Sequence, residues 1–406
     1  MIGATEDVEF PAFSEFNVDI FGRIRTSLPI SVFDAGFWIG TRPQLFSTLV
    51  ASGGTVTHNA NLSSMILSTA ATLNSRGVIQ SLKPLKYRPG KSTRVLMSGS
   101  LRSAATGVKK YFGQFNENNG PYFLLDGSTL KVGIRSKVSG TVVDTQVAQN
   151  SWNIDKLDGT GESGITLDIT KQQVFLIEYQ WLGSGTIKYG FFINEKTYYV
   201  HQIHNSNILT VPYSQTATLP IRAEIIASGS ATASDMHFTC VSVQSEDGNS
   251  VVLGHRETIS TGVALKTFNS TTASPILALR KQSGSLGVPV GIDSYSTFCS
   301  TTDDVLFEVH INPSTLSGVS WVNSGQHLQF DVSATAMTFT APPIYSFIVR
   351  GAATTPSVLK FQNLNEYPEI ILGSDLADNS EVFVIAARSF TGSANVAAVI
   401  NIIVYV

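Results

Sequence analysis

Val174-Phe175-Leu176-Ile177-Glu178-Tyr179-Gln180-Trp181 runs through Gly183-Ser184-Gly185 into Thr186-Ile187-Lys188-Tyr189-Gly190-Phe191-Phe192-Ile193. Asn194-Glu195 then turns the chain into Lys196-Thr197-Tyr198-Tyr199-Val200-His201. Aromatic and β-branched residues dominate all three runs, and such side chains pack best on a pleated surface. The breaks between them are short and rich in Gly and Asn, which is hairpin punctuation. The stretch predicts a three-stranded antiparallel meander with one strongly apolar face.

Outward from this meander the same pattern recurs. Thr93–Ser98, Tyr122–Asp126, Thr129–Ser136, Ile221–Ala227, His237–Gln244, Val305–Ile311 and Glu381–Ala387 are further β runs, with turns such as Asn119-Gly120-Pro121 and Asp126-Gly127 between them. No run of helical length repeats apolar residues every three to four positions without Gly, Pro or β-branched clusters. The chain is therefore expected to be all-β, with two antiparallel β-sandwich domains of jelly-roll or lectin-like type. The turn-rich segment Ser245-Glu246-Asp247-Gly248-Asn249-Ser250 separates domain 1, residues 46–245, from domain 2, residues 246–406. Residues 1–45 contain Pro11, Pro29 and Pro43 and no clean hairpin, so they are read as an extended N-terminal arm lying on a neighbour. The apolar end, Val396–Val406, is interrupted by Asn401 and is about half a membrane span, which makes it a buried strand.

Composition excludes several functions. The 406 residues are 43% hydrophobic but only 14% charged, against about 25% in an ordinary soluble domain. About a fifth of the chain is Ser or Thr, which supplies the polar surface instead. Net charge is −3, with no local Lys/Arg cluster, so no nucleic-acid partner is expected. No membrane partner and no secretory signal are expected either: Met1–Phe10 carries Glu6, Asp7 and Glu9 and has no basic or apolar leader region. Cys240 and Cys299, the two cysteines, make no disulfide framework and are read as buried small hydrophobes.

Catalytic and metal constellations are weak. Gly90-Lys91-Ser92 lacks the upstream glycine of a phosphate loop, since Leu85 stands there, and it leads into a strand pattern and not a helix. His201 and His204 would point to opposite faces of a strand. Asp158-Gly159-Thr160-Gly161-Glu162 offers oxygens but not the alternating ladder of a calcium loop. No Gly-x-Ser-x-Gly elbow and no local carboxylate pair is present. The chain is accordingly expected to need no metal or cofactor and not to be an enzyme. Among the aromatics, Trp152 and Trp181 are assigned to the core, whereas Trp38 and Trp321 remain candidates for stacking on a glycan ring.

Phe21-Gly22-Arg23-Ile24-Arg25-Thr26-Ser27-Leu28-Pro29, followed by Val32-Phe33-Asp34, concentrates two guanidinium forks, a carboxylate and apolar anchors. Phe21, Arg23, Arg25, Phe33 and Asp34 are its candidate partner-binding residues. This segment resembles the N-terminal segment of large virion structural proteins of tailed bacteriophages, the marine and cyanobacterial ones especially. The similarity continues at Tyr87–Ser92, at Val147–Gly161, at Leu219–Ile225, and in the C-terminal half at Thr272–Arg280 and Phe330–Ala336. After Asp34 that family commonly continues with a polar residue and Lys, where this chain has Ala35-Gly36-Phe37-Trp38. The resemblance implies a structural component of a phage virion, assembled in the host cytoplasm with other virion proteins, in homotrimers, as a tail, baseplate, fibre or capsid-decoration subunit. It carries no catalytic residues. The alternatives from other classes are a carbohydrate-binding receptor module of the tail, meeting a host surface glycan, and a glycan hydrolase.

Overall fold

The computed structural model describes residues 20, 29–228, 231–246, 254–268, 271–300, 302–351, 357–362 (backbone only) and 370–405. The chain divides into two compact units, one of residues 1–42, 48–79 and 87–250, the other of residues 43–47, 80–86 and 251–406.

The strands of the first unit, in chain order, begin with β1 (Pro29–Gly36), β2 (Phe46–Ala51), β3 (Thr55–Asn59), β4 (Ser64–Thr69) and β5 (Arg76–Ser81). β6 (Thr93–Ser100), β7 (Val108–Gln114), β8 (Gly120–Asp126), β9 (Thr129–Ser136) and β10 (Val143–Ala148) follow. The last are β11 (Gln173–Tyr179), β12 (Ile187–Ile193), β13 (Lys196–Ile203), β14 (Ile221–Ala227) and β15 (Ser234–Glu246). They form an eight-stranded sheet, β13-β12-β11-β6-β15-β4-β3 with β1 beside β15, and a seven-stranded sheet, β10-β9-β8-β7-β14-β5-β2. The meander read from the sequence is β11-β12-β13, antiparallel throughout. Its second turn places Asn194 at φ 48° and Glu195 at φ 65°, the left-handed pair of a tight hairpin.

Alternation on these strands makes the sandwich. Phe112 and Phe123 of one sheet meet Phe175, Phe191 and Phe238 of the other, with ring centroids 5.1 to 5.7 Å apart. Phe175, Ile177 and Tyr179 face this core, so Leu176 and Glu178 of the same strand face the other way.

The expected arm is corrected in its last part. Residues 29–36 are not a free extension but β1, paired antiparallel with β15 from Pro29↔Glu246 to Gly36↔Cys240. Phe33, Ala35 and Phe37 are buried by it. Alternation of apolar residues at 33, 35 and 37 is a strand signal that the flanking prolines masked.

The second unit also has two six-stranded sheets. One runs His255–Ser260, Ala394–Val404, Val290–Cys299, Ser357–Gln362, with Lys266–Phe268 also paired to Ala394–Val404 and Ile370–Leu372 to Val290–Cys299; the other runs Val322–Ser324, Leu328–Asp331, Ser274–Lys281, Val382–Ser389, Val305–Ile311, Tyr345–Val349. Leu277, Phe307 and Phe383 pack with Tyr295, Ile400 and Ile402 in one buried cluster. The apolar C-terminal run is an inner strand of the first of these sheets.

Candidate functional site

β1 delivers a short cluster to the sheet face that points away from the core of the first unit. With Phe33, Ala35 and Phe37 inward, Asp34 and Gly36 face outward, and Asp34 is exposed. The Trp38 indole folds back over Gly36: a Cβ added there would lie 1.6 Å from Cζ3 of the ring. Only glycine permits so close an approach.

The backbone under this indole is held at several points. The Phe37 N–H donates to Thr239 O at 3.1 Å. Its ring meets Phe238 edge-on at 5.1 Å. A ring N–H of His58 donates to Phe37 O at 2.6 Å, and Arg42 Nε donates to Gly36 O at 3.2 Å. Trp38 nevertheless stays 62% exposed and Ile39 63% exposed. An indole fixed from below and open above, lying over Gly36 with Asp34 two residues from that glycine on the same face, is a stacking platform beside a hydrogen-bond acceptor. The Ser31 hydroxyl donates to that carboxylate and orients it.

Further across the same face lies a polar row. Strand register sets Gln244, Arg94, Glu178 and Lys188 side by side on β15, β6, β11 and β12. The Tyr199 hydroxyl donates to Glu178, Lys188 Nζ sits 5.3 Å from the Tyr199 ring centre, and Arg94 Nη2 donates to Thr197 Oγ1 at 3.2 Å. Just past the end of β11, Gln180 accepts from the Tyr87 hydroxyl, which accepts from Leu182 N–H. Burial raises the Tyr87 phenol above its ordinary range and keeps it a donor. The sequence reading missed this row. The polar Glu178 and Gln180, alternating with the inward Ile177 and Tyr179, were the available signal.

The other residues singled out above do not converge on this face. Phe21, Arg23 and Arg25 lie outside the described residues. Phe33 is a core side chain and not a surface anchor, which corrects its assignment as partner-binding. Trp152 is buried and Trp181 half-buried. Trp321, in the second unit, packs on a cluster of Ala278, Met337, Val384 and Ala386, with the Arg280 guanidinium 4.2 Å from its ring centre. Its ring is engaged on two sides and offers no free platform.

His201 Nδ1 accepts from Asn153 N–H while His204 Nδ1 pairs with Thr186 Oγ1, so the two imidazoles serve separate contacts. In the acidic loop, Asp155 accepts from the N–H groups of Leu157 and Ser163, and Asp158 from Thr160 N–H and Oγ1. Among the described residues, no group of three or more His, Cys, Asp or Glu is placed to hold a metal ion. Cys299 is buried and Cys240 half-buried.

No protein-family model matches the chain, and no curated protein is similar to it. Solved structures similar to about half of the chain are found. A glycosyl hydrolase family protein from Mycobacterium fortuitum is 11% identical, covering 53% of this chain and 99% of its own, with a TM-score of 0.36. A β-1,3-glucanase from Mycobacterium marinum is 13% identical over 53% of this chain and 98% of its own, at TM-score 0.35. A legume lectin-like domain from Entamoeba histolytica is 10% identical over 54% of this chain and 99% of its own, at TM-score 0.33.

These similarities correct one expectation. The chain was read as a non-enzyme because no local catalytic motif is present, yet the similar structures include glycosyl hydrolases. Carboxylates that converge from separate strands leave no local motif, so the missing motif is no ground for excluding catalysis. The likeness assigns no activity to this chain; its architecture is an antiparallel β-sandwich in each unit.

Proposed function

We propose that the chain is a virion structural protein of the tailed-phage kind whose first unit binds a surface glycan at Asp34 and Trp38. The observation that carries the glycan reading is the Trp38 indole, exposed on one side and laid across Gly36 on the other, in a turn anchored by Phe37. An aromatic left exposed while its backbone is tied down has its ordering cost met before a ligand arrives. The faces of pyranose rings are apolar and fit such an indole, and their rim hydroxyls donate to a carboxylate such as Asp34. The virion reading is supported by the Phe21–Asp34 resemblance and by the low charge of the chain, since charge is depleted at the cores of assembly interfaces.

The purified full chain should bind a subset of glycans on an array, or host surface polysaccharide. Trp38→Ala should weaken that binding at least about tenfold, roughly 1.4 kcal/mol, with the melting temperature unchanged. Asp34→Asn should weaken it too. Binding that ignores both substitutions, or no glycan binding by the wild-type chain, rejects the site. Mass spectrometry of purified particles tests the virion reading separately, and absence of the chain from them rejects it.

A further inference from the structure

We infer that Arg42 is the charged contact of the Trp38 platform, and that the glycan bound there carries an anionic group, carboxylate or sulfate, beside the sugar ring that stacks on the indole. This rests on the glycan reading of the Trp38 site and names the class of sugar the site accepts. Arg42 and Trp38 converge on one glycine. The indole lies over Gly36, and Arg42 Nε donates to the carbonyl of the same residue at 3.2 Å. Asp34 stands two residues before Gly36, so a carboxylate and a guanidinium flank that glycine along the chain. Arg42 precedes Pro43 and takes φ 54°, a left-handed conformation that a side chain adopts only when its surroundings impose it. The bond to Gly36 O engages Nε alone. The paired terminal nitrogens, the fork that holds a carboxylate or sulfate bidentately, meet no acceptor among the described residues.

Charge selects the ligand. From Ala35 to Ser75 the chain has no Asp, Glu or Lys and a single Arg, Arg42. β3 and β4, at this end of the sheet, therefore bring no counter-charge. Other guanidinium groups of the unit are closed by carboxylates: Arg76 and Arg222 on Glu117 and Glu224, and Arg135 on Asp144. Arg42 has no such partner among the described residues, and it is half-buried, so water screens its charge less. A ring nitrogen of His58 is already bonded to Phe37 O. A neutral sugar would leave the fork idle, and a bare anion would leave the indole idle. A sugar with an acidic substituent engages both, its apolar face on Trp38 and its anion in the fork. Asp34, which accepts from the Ser31 hydroxyl, takes sugar hydroxyls and disfavours any pose that turns the anion toward it.

The test is an array read with the full chain. It carries oligosaccharides of polygalacturonate and hyaluronan for carboxylate, sulfated dextran for sulfate, and cellulose and dextran as neutral sugars. The members bound should be the acidic ones. Carboxyl reduction of the best binder, or its desulfation, should weaken binding at least about tenfold at about 50 mM salt. That gap should narrow at about 500 mM salt, and the two treatments tell which anion the fork holds. Arg42→Gly, at a backbone conformation that suits glycine, should erase the gap without lowering the melting temperature. Arg42→Lys, which keeps the charge but not the fork, should retain part of it. An Arg42 that only braces the turn would change stability and leave the gap in place. Trp38-dependent binding that is equal for a glycan and its neutralised form overturns the inference and leaves the platform standing. An acid preference that survives Arg42→Gly does the same, and so does Trp38-dependent binding of neutral members alone. Absence of any Trp38-dependent binding rejects the platform and this inference together.

Discussion

At the scale of single residues, Gly36 and Trp38 work as a pair. The indole occupies the space of a Gly36 Cβ, so Gly36→Ala must push the ring off the sheet. The atoms displaced belong to the far end of an exposed side chain, so the fold has room to give. Gly36→Ala should therefore reduce glycan binding about as much as Trp38→Ala, while urea denaturation shows a stability loss of under about 1 kcal/mol. Retained binding would place the contact somewhere other than the Trp38 ring. Lys110 shows the opposite use of a polar residue. Its ammonium is buried and donates to Leu101 O and Ser103 O at 2.7 and 2.8 Å, and burial lowers its pKa to about 8.

At the scale of elements, β1 and the β12–β13 hairpin make the informative predictions. Phe33 lies opposite Val243 on β15 and is buried. Phe33→Ala should cost about 3–5 kcal/mol in equilibrium denaturation, because its loss leaves a cavity under a strand that a free arm would not have. A cost below about 1 kcal/mol would return this segment to an independent arm. In the hairpin, Glu195 has φ 65° where glycine is at ease. Glu195→Gly should leave the strands in register and raise stability by some tenths of a kcal/mol up to about 1, relieving a backbone strain typical of left-handed non-glycine residues. A lower melting temperature would mean that the Glu195 side chain supports the turn.

At the scale of the whole molecule, the buried titrating groups set a pH optimum. Lys110 and Lys281 are both lowered by burial to about 8, well below the ordinary 10.5. Between these values the unfolded chain keeps protons that the folded chain has shed, so stability rises with pH there, by an order of 3 kcal/mol per lysine. Burial lifts Tyr111, Tyr122, Tyr179, Tyr189, Tyr213 and Tyr295 the other way. The unfolded chain ionises these phenols first, from about pH 10, and stability then falls. On the acid side, burial holds His201 and His310 below their ordinary value, so they charge more readily when unfolded and stability drops as pH falls through about 6.5. Melting temperature against pH should peak near about 9 to 10, and Lys110→Met should flatten the rise above about pH 8. A maximum at neutral pH would show that the lysine ammonium groups stay fully charged in the fold.

Sequence by itself determined the all-β class and the position of most strands, because alternation and turn chemistry are local. The meander at 174–201, the hairpins at Gly127 and Asn194-Glu195, and the buried C-terminal strand were legible for that reason. Trp152 was also legible as core, whereas Trp38 and Trp321 are both stacking candidates in the sequence. The structure exposes Trp38 and sets the Arg280 guanidinium, from a strand 41 positions away, over the Trp321 ring. Only the tertiary structure decided that residues 29–36 complete a sheet, because their partner, β15, lies some two hundred positions downstream. It also decided that Asp34, Trp38, Arg94, Glu178 and Lys188 share one face. Register between strands distant in sequence sets those neighbours, and no local pattern encodes which strand pairs with which.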